Sequence, residues 1–292
     1  MRSTSSALEA ARHILRTHGI FPDREDILQN ASTLVVRFTP TLVARVVQDV
    51  GGPRAGTDWF RRENAVAEHL TRHHAPVIPL HPDLPPGPHM HDGFPMNFWE
   101  FVKITAEPLS MDTAGSNLAR CHRVLRGFGE PMPVLSILEE SRQLAARPEV
   151  ESRLTPSTVR MLCRFLERGL SALRKMPGQL LHGDAHLGNV LPTERGLLWT
   201  DWEDAFTGPP EWDVASALWN SLFLENDAEG ADAFLAGYRA EGEHVDSARL
   251  EACCEARAAV ICVWYPLLYP GTDRERQRKL DLRLEWLAAR EN

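Results

Sequence analysis

Apolar positions in the first hundred residues follow helical spacing in some segments and strand spacing in others. Residues 6–18 and 58–73 carry apolar side chains at intervals of three and four, which predicts two amphipathic helices. Two β-branched runs at 34–38 and 42–47, separated by a Thr-Pro-Thr turn, predict a hairpin, and the apolar and aromatic run at 96–103 predicts a further strand. This part of the chain is therefore expected to be rich in strands after an opening helix.

The pattern becomes helical beyond residue 110. Before that point, seven prolines between residues 75 and 95 predict a loop that contains at most a short edge strand. A compact region of turns is expected at 182–210. The segments with periodic apolar faces are 114–128, 156–176, 212–224, 231–240, 247–265 and 274–290. We therefore expect an N-terminal sheet-containing lobe at 1–103 and a larger helical lobe at 104–292.

Composition and charge narrow the class of protein. A chain of 292 residues with 43% hydrophobic and 25% charged residues has the composition of a globular protein, which argues against disorder and a coiled coil. Its net charge of -8 argues against binding to a nucleic-acid backbone. No apolar run approaches the length that spans a bilayer, so we expect a cytoplasmic protein without membrane contact. Five cysteines without a CxxC pair predict reduced thiols, with neither disulfides nor a thiolate metal site.

The segment between residues 181 and 204 carries the most informative chemistry. Between short apolar runs it places Asp184, then Asn189 five residues later, then Asp201 twelve residues further on. Metal-assisted phosphoryl transfer needs a carboxylate that accepts the proton of the attacking hydroxyl. It also needs an amide oxygen and a second carboxylate that hold Mg²⁺. The spacing is therefore typical of a phosphoryl-transfer centre.

This segment resembles the HGDxHxxN motif of the aminoglycoside phosphotransferase family. The five fixed positions of the motif are filled by His182, Gly183, Asp184, His186 and Asn189. Residues 208–215 resemble the segment with which the family enters its next helix, which implies that Asp213 braces the catalytic loop. The resemblance implies an α+β protein with the bilobed protein-kinase-like fold, consisting of a small antiparallel-sheet N-lobe and a larger helical C-lobe.

The resemblance also implies roles for individual residues. Asp184 corresponds to the catalytic base, and Asn189 and Asp201 correspond to the Mg²⁺ ligands. His182 and His186 correspond to structural supports of the loop. The implied reaction moves the γ-phosphate of ATP or GTP to a hydroxyl of a small molecule.

In the N-lobe the resemblance implies a nucleotide site. Arg45 stands where the family's strand carries its phosphate-binding lysine or arginine, and Glu63 corresponds to its helix partner. Ser32 lies in the turn that would cover the phosphates, and Glu100 and Val102 would belong to the adenine-facing hinge. The chain departs from the family pattern in two ways, because no lysine precedes residue 103 and no glycine lies between residues 19 and 51. Arginine at position 45 offers a planar fork of donors in place of an ammonium group.

These motifs leave the acceptor open. Nine acidic residues lie between 201 and 232 with no lysine or arginine among them, in the part of the chain that shapes the substrate cleft in relatives. Such charges, Glu225 and Asp227 among them, would favour a cationic acceptor such as an aminoglycoside. Three alternatives stay open: a kinase for a neutral alcohol, sugar or macrolide, a non-catalytic nucleotide- or ligand-binding protein, and a zinc hydrolase that uses the HxDxH residues.

Overall fold

The computed structural model describes residues 3–48, 57–269, 271 and 273–291. The chain forms two compact units, Met1–Leu109 with Asn189–Glu203, and Ser110–Gly188 with Asp204–Asn292. These bounds differ from the expected division after residue 103, because a hairpin from the later part of the chain packs within the first unit. In that hairpin Leu198 is buried in one cluster with Ala67 and Ile78, and Trp199 donates its backbone N–H to the carbonyl of Pro76 at 2.9 Å.

A five-stranded antiparallel sheet in the order β1-β2-β3-β5-β4 forms the framework of the first unit. Its strands are β1 (Asp26–Asn30), β2 (Thr33–Arg37), β3 (Leu42–Val47), β4 (His89–His91) and β5 (Phe94–Glu100). Arg45 on β3 pairs in register with Val35 of β2 and Asn97 of β5, so Arg45 lies on the central strand. The predicted hairpin and the predicted third strand are both present.

Two helices and a second hairpin complete this unit. They are α1 (Thr4–Thr17), α2 (Asp58–Arg72), β7 (Val190–Thr193) and β8 (Gly196–Trp199). Helix α1 covers the sheet through Leu8 and Leu15, which share a buried cluster with Leu34 and Val36 of β2. The two β2 residues are two positions apart and therefore face the same side of the sheet. The amphipathic pattern of the opening helix thus matches the side on which the core lies.

Strand β1 was not predicted, because its residues give no hydrophobic signal. All five positions of Asp26–Asn30 are exposed, and the strand occupies one edge of the sheet. Strand β4 is the short edge strand expected within the proline-rich segment, since only three residues pair there.

The second unit is mainly helical. Its helices are α3 (Met111–Leu125), α4 (Ser136–Leu144), α5 (Pro148–Glu151), α6 (Pro156–Leu173), α7 (Glu211–Asn220), α8 (Ala228–Ala240), α9 (Ser247–Leu268) and α10 (Arg274–Ala288). A two-stranded antiparallel ladder joins β6 (Gln179–Leu181) to β9 (Phe206–Gly208). Helices α4 and α5 were not predicted: α4 begins after Leu135, which supplies no side-chain cap, and α5 has only four residues. Start signals are present, with Glu139 in the first turn of α4 and Pro148 at the start of α5, but both helices are too short to give a long apolar repeat.

The core of the second unit fixes the β6–β9 ladder in place. Leu181 of β6 and Phe206 of β9 belong to one buried cluster with Trp212 of α7 and Val260 of α9. The α+β class expected from the sequence is confirmed. All five cysteines are free thiols. Within the described residues, no helix is both long enough and apolar enough to cross a lipid bilayer.

Candidate active site

The loop after β6 is fixed by α7. Asp213, a fully buried residue, accepts hydrogen bonds from the backbone N–H groups of His182 at 2.7 Å and Gly183 at 2.9 Å. Trp212 donates its indole N–H to the carbonyl of Gly183 at 2.8 Å. Nε2 of His122 on α3 lies 2.9 Å from Oδ2 of Asp213, the oxygen that also accepts the N–H of His182. The bracing contact that the family resemblance implied for Asp213 is therefore present in the structure.

Position 183 requires glycine. Its φ of +87° lies in the left-handed region, and a Cβ there would collide with the backbone carbonyl of Asp204. The tight turn brings the chain from the end of β6 directly to Asp184.

Asp184 is held by an arginine that the sequence analysis did not single out. Arg257 of α9 pairs with Oδ1 of Asp184, and its own side chain is only 8% exposed. The guanidinium carbon of Arg257 lies 5.9 Å from the ring centre of Trp212. The signal for Arg257 was present in the sequence, because it is a lone cation among small and apolar residues between positions 256 and 264. A buried charge in such a run needs a charged partner.

His186 lies beside the same carboxylate. Its Nδ1 accepts the backbone N–H of Gly188 at 3.0 Å, so Nε2 carries the proton and lies 3.6 Å from Oδ2 of Asp184. Burial lowers the pKa of His186, and the charge of Arg257 lowers it further, although Asp184 acts in the opposite direction. The imidazole is therefore neutral at pH 7. This arrangement agrees with a supporting role for His186 in the loop.

In the first unit, Arg45 is surrounded by carboxylates. Its Nη1 donates to both oxygens of Glu63, at 3.0 and 2.9 Å, and its Nη2 pairs with Glu203 and lies 3.3 Å from Oδ1 of Asp201. The expected pairing of Arg45 with Glu63 is present, whereas Glu203 was not predicted as a partner. The sequence feature that could have indicated Glu203 is its position two residues after Asp201, which places two carboxylates close together in the chain.

The charges in this cluster are unequal. Burial raises the pKa of Glu63 to about 8, and the charges of Asp201 and Glu203 act in the same direction against the attraction of Arg45. Burial lowers the pKa of Arg45, but the three carboxylates outweigh it and raise that pKa well above its ordinary value. Among the described residues, one guanidinium thus faces three acidic side chains, and the raised pKa of Glu63 favours its neutral form.

Buried amides hold Glu63 in position. Asn97 of β5 donates to Oε2 of Glu63 at 2.9 Å and accepts the indole N–H of Trp99 at 2.9 Å. Asn97 is fully buried and was not a predicted functional residue. A polar residue in an otherwise apolar strand is the signal that would have marked it.

The two predicted metal ligands flank the β7–β8 hairpin. Asn189 precedes β7, Asp201 lies two residues after β8, and the N–H of Thr200 donates to the carbonyl of Asn189 at 3.0 Å. Asp201 has a φ of +67°, an uncommon conformation for a residue with a side chain. Its Oδ1 is buried and receives no hydrogen bond from the part of the chain that the structure describes. Among those residues, no group of three or more His, Cys, Asp or Glu side chains could hold a metal ion.

The remaining predicted nucleotide residues lie on separate parts of the first unit. Ser32 is exposed in the β1–β2 turn, where its carbonyl accepts the N–H of Gln48 at 2.8 Å. Glu100 ends β5, donates its N–H to Pro79 at 2.9 Å and pairs with Arg195 at 2.7 Å. Val102 is buried in the cluster that contains Leu198.

The acidic run divides into residues with different surroundings. Glu203 pairs with Arg45, Asp213 braces the loop, and Glu211 is buried. Asp227 caps α8 by accepting the N–H of Gly230 at 2.9 Å. Glu225 ends a π-helical turn at Ser221–Glu225 and is exposed.

The sequence and the fold are both similar to those of known proteins. Residues 25–251 match the profile of the phosphotransferase enzyme family. No protein with a curated description matches the sequence. The fold is similar to that of the amicoumacin kinase hAmiN in complex with AMP-PNP, Ca²⁺ and Ami, with 15% identity, 99% of this chain and 96% of that chain covered, and a TM-score of 0.72.

Two further solved structures have a similar fold. Choline kinase LicA from Streptococcus pneumoniae is 14% identical, with 96% of this chain and 99% of that chain covered and a TM-score of 0.65. Spectinomycin phosphotransferase APH(9)-Ia, in complex with ADP and spectinomycin, is 15% identical, with 95% and 93% covered and a TM-score of 0.63. These likenesses confirm the protein-kinase-like fold.

Proposed function

The chain belongs to the phosphotransferase enzyme family, and from this premise we propose that it transfers the γ-phosphate of ATP or GTP to a hydroxyl of a small molecule. The observation that carries the proposal is that both the loop before Asp184 and its carboxylate are held in place. The loop before it is fixed by Asp213 and Trp212, and its carboxylate is held by Arg257. Such a fixed carboxylate suits a base that must meet one hydroxyl in one orientation.

Asp184 acts as the base in this proposal. It accepts the proton of the acceptor hydroxyl as the oxygen attacks the γ-phosphorus, and Arg257 keeps the carboxylate oriented through Oδ1. The lowered pKa of His186 agrees with this role, because it favours an uncharged imidazole beside the carboxylate.

Asn189 and Asp201 would hold Mg²⁺. An amide oxygen and a carboxylate are the hard donors that this ion prefers, and the buried Oδ1 of Asp201, which receives no hydrogen bond from the described residues, fits a metal ligand. When bound, the ion would neutralise charge on the nucleotide phosphates.

Arg45 would offset the charge of the nucleotide from the other side. Glu63 and Asn97 anchor its Nη1 side, while the Nη2 side faces Glu203 and Asp201. Ser32, Glu100 and Val102 complete the proposed nucleotide site, with Ser32 near the phosphates and the other two at the adenine. Since the proposed donor is an intracellular nucleotide, we place the enzyme in the cytoplasm.

A cationic acceptor is the finer part of the proposal. Glu225 is an exposed acid of the 201–232 run, and the described residues give it no capping or bracing role. An aminoglycoside would meet the charge requirement, and its phosphorylation would confer antibiotic resistance.

A Mg²⁺-dependent assay of nucleotide turnover across aminoglycosides, choline, macrolides and sugars tests the proposal. We expect one acceptor to stimulate ADP or GDP formation. In the Asp184→Asn variant turnover should fall by on the order of 10² to 10⁴, with nucleotide affinity and melting temperature retained. Tight nucleotide binding without transfer to any acceptor would favour the non-catalytic alternative instead.

A further inference from the structure

We propose that Tyr238 of α8 is a positioning residue for Asp184, and that it acts through a buried relay formed by His122 and Asp213. The inference rests on the proposed function, since it concerns how the carboxylate of the base is held. All three residues of the relay belong to the second unit, and each is at most 1% exposed.

Two hydrogen bonds join Tyr238 to Asp213 through the ring of His122. The hydroxyl oxygen of Tyr238 lies 2.7 Å from Nδ1 of His122, and Nε2 of the same ring lies 2.9 Å from Oδ2 of Asp213. That oxygen also accepts the N–H of His182, so it is an acceptor and Nε2 carries the proton. Nδ1 of the neutral ring then accepts the O–H of Tyr238. Burial raises the pKa of Tyr238, and the charges of Glu243 and Asp213 raise it further, so the hydroxyl keeps the proton that it donates.

The relay ends at the backbone of the proposed base. The two oxygens of Asp213 accept the N–H groups of His182 and Gly183. Nδ1 of His182 in turn accepts the N–H of Asp184 at 3.3 Å. Each group in this series is hydrogen-bonded to the next, so a ring that loses the donor Tyr238 would shift, and the shift would pass to the loop.

Helix α8 is fixed against α3, which sets the position of the Tyr238 hydroxyl. At Gly237 the two helices approach so closely that a Cβ would collide with the backbone carbonyl of Asp112 on α3. Just after α8, Glu241 accepts a hydrogen bond from Nη2 of Arg123 on α3 at 3.0 Å. The relay therefore begins on a packed helix and not on a loose loop, which suits a part that must hold a base in one orientation.

Tyr238→Phe removes the hydroxyl and keeps the ring. We expect kcat for transfer from Mg²⁺-ATP to the most active acceptor of the panel above to fall at least about fivefold, with the KM for nucleotide unchanged. Amide hydrogen exchange at His182 and Gly183 should become at least about tenfold faster, because their acceptor Asp213 is held less firmly. Tyr269→Phe, the same change on α9 outside the relay, should leave kcat and exchange within about twofold of the parent.

His122→Gln tests the relay from its centre. Glutamine keeps an N–H that can donate to Asp213, but it lacks the ring nitrogen that accepts from Tyr238. In this background Tyr238→Phe should lower kcat by less than about twofold, because the hydrogen bond that it removes is already absent. An equal loss of kcat in both backgrounds would overturn the relay, since the hydroxyl would then act elsewhere.

Two other outcomes also count against the proposal. If Tyr238→Phe lowers the melting temperature and leaves kcat unchanged, Tyr238 serves stability and not positioning. If exchange at His182 and Gly183 is unchanged, Tyr238 is not linked to the loop. Exchange needs no acceptor, so a parent protein that transfers no phosphate but whose exchange responds to Tyr238→Phe would contradict the proposed function and support the relay.

Discussion

At the scale of single residues, Arg257 forms an ion pair with the carboxylate of Asp184. Its guanidinium is nearly buried, and it pairs with the carboxylate that the proposal makes the base. A positive charge at that distance stabilises the ionised carboxylate and fixes its orientation. Arg257 is therefore a positioning residue, since it acts on the acceptor through Asp184.

Arg257→Gln should lower kcat by on the order of 10 to 10², because the carboxylate loses its fixed orientation. The acidic limb of the pH–rate profile should also move to higher pH, because the ionised form of Asp184 loses its charged partner. Arg257→Lys, which restores a cation, should recover part of both effects. An acidic limb that stays in place in Arg257→Gln would show that Arg257 serves only to pack α9.

At the scale of elements, helix α8 is capped by Asp227, one of the acids that we expect to attract the acceptor. Asp227 caps the helix through the N–H of Gly230. Its removal therefore changes stability as well as charge, which complicates any experiment on acceptor affinity. Glu225 lies two residues earlier, and the described residues give it no such task.

Asp227→Ala should cost about 1 kcal/mol of unfolding free energy, whereas Asp227→Asn should cost little because asparagine also caps helices. For a cationic acceptor, Glu225→Gln and Asp227→Asn should each raise KM and leave kcat nearly unchanged, since the charges act alike on ground and transition states. Urea denaturation and steady-state kinetics separate the two effects. A neutral acceptor would leave both KM values unchanged.

Histidines join helix α1 to the sheet in the first unit. His13 stacks on His91 of β4 with ring centres 3.8 Å apart, and His18 meets His89 edge to face at 5.6 Å. Burial lowers the pKa of His89, and His18 lowers it further, although the bond to Pro85 opposes them. The folded state therefore prefers the neutral imidazole.

This preference predicts a loss of stability in acid. An unfolded histidine titrates near its ordinary pKa of about 6.5, so the unfolded chain takes up a proton before the folded chain does. The contribution of His89 is fully present above that value and is lost as the pH falls toward the lower folded pKa. Urea denaturation at pH 7.5 and 5.5 should show a smaller loss in His89→Gln than in the parent, and the exposed His244→Gln should behave as the parent does.

At the scale of the whole molecule, the proposed chemistry depends on residues from both compact units. Asp184 and Arg257 belong to the second unit, while Arg45, Glu63, Asn189 and Asp201 belong to the first. The proposed metal ligands, Asn189 and Asp201, flank a hairpin that follows the loop of Asp184 in the chain. Removal of one ligand should therefore affect nucleotide binding without disturbing the mounting of Asp184.

Asp201→Asn tests this expectation and tolerates the positive φ that alanine would not. Transfer should fall by on the order of 10²-fold or more, because the phosphates lose their main link to the protein through Mg²⁺. Calorimetry should show weaker Mg²⁺-nucleotide binding. Glu194→Gln, an exposed acid on the same hairpin, should bind Mg²⁺-nucleotide like the parent. Equal binding by both variants would remove Asp201 from the metal site.

The sequence by itself determined the elements whose signal is local. Apolar periodicity predicted the major helices and the central hairpin. The HGDxHxxN motif singled out Asp184 and Asn189 as candidates, and the strand and aspartate that follow it singled out Asp201. Strand β1 and helices α4 and α5 were not found, because an edge strand without an apolar face leaves no local pattern and helices of nine and four residues give only a short one.

Only the tertiary structure decided which charges meet. Arg257 lies 73 positions from Asp184 and Glu203 lies 158 from Arg45, so no local spacing could pair them. Tyr238 likewise lies 116 positions from His122, and in the unfolded chain both would be satisfied by water. Local sequence sets backbone geometry, whereas the energy of a charge depends on burial and on partners that folding brings from distant parts of the chain.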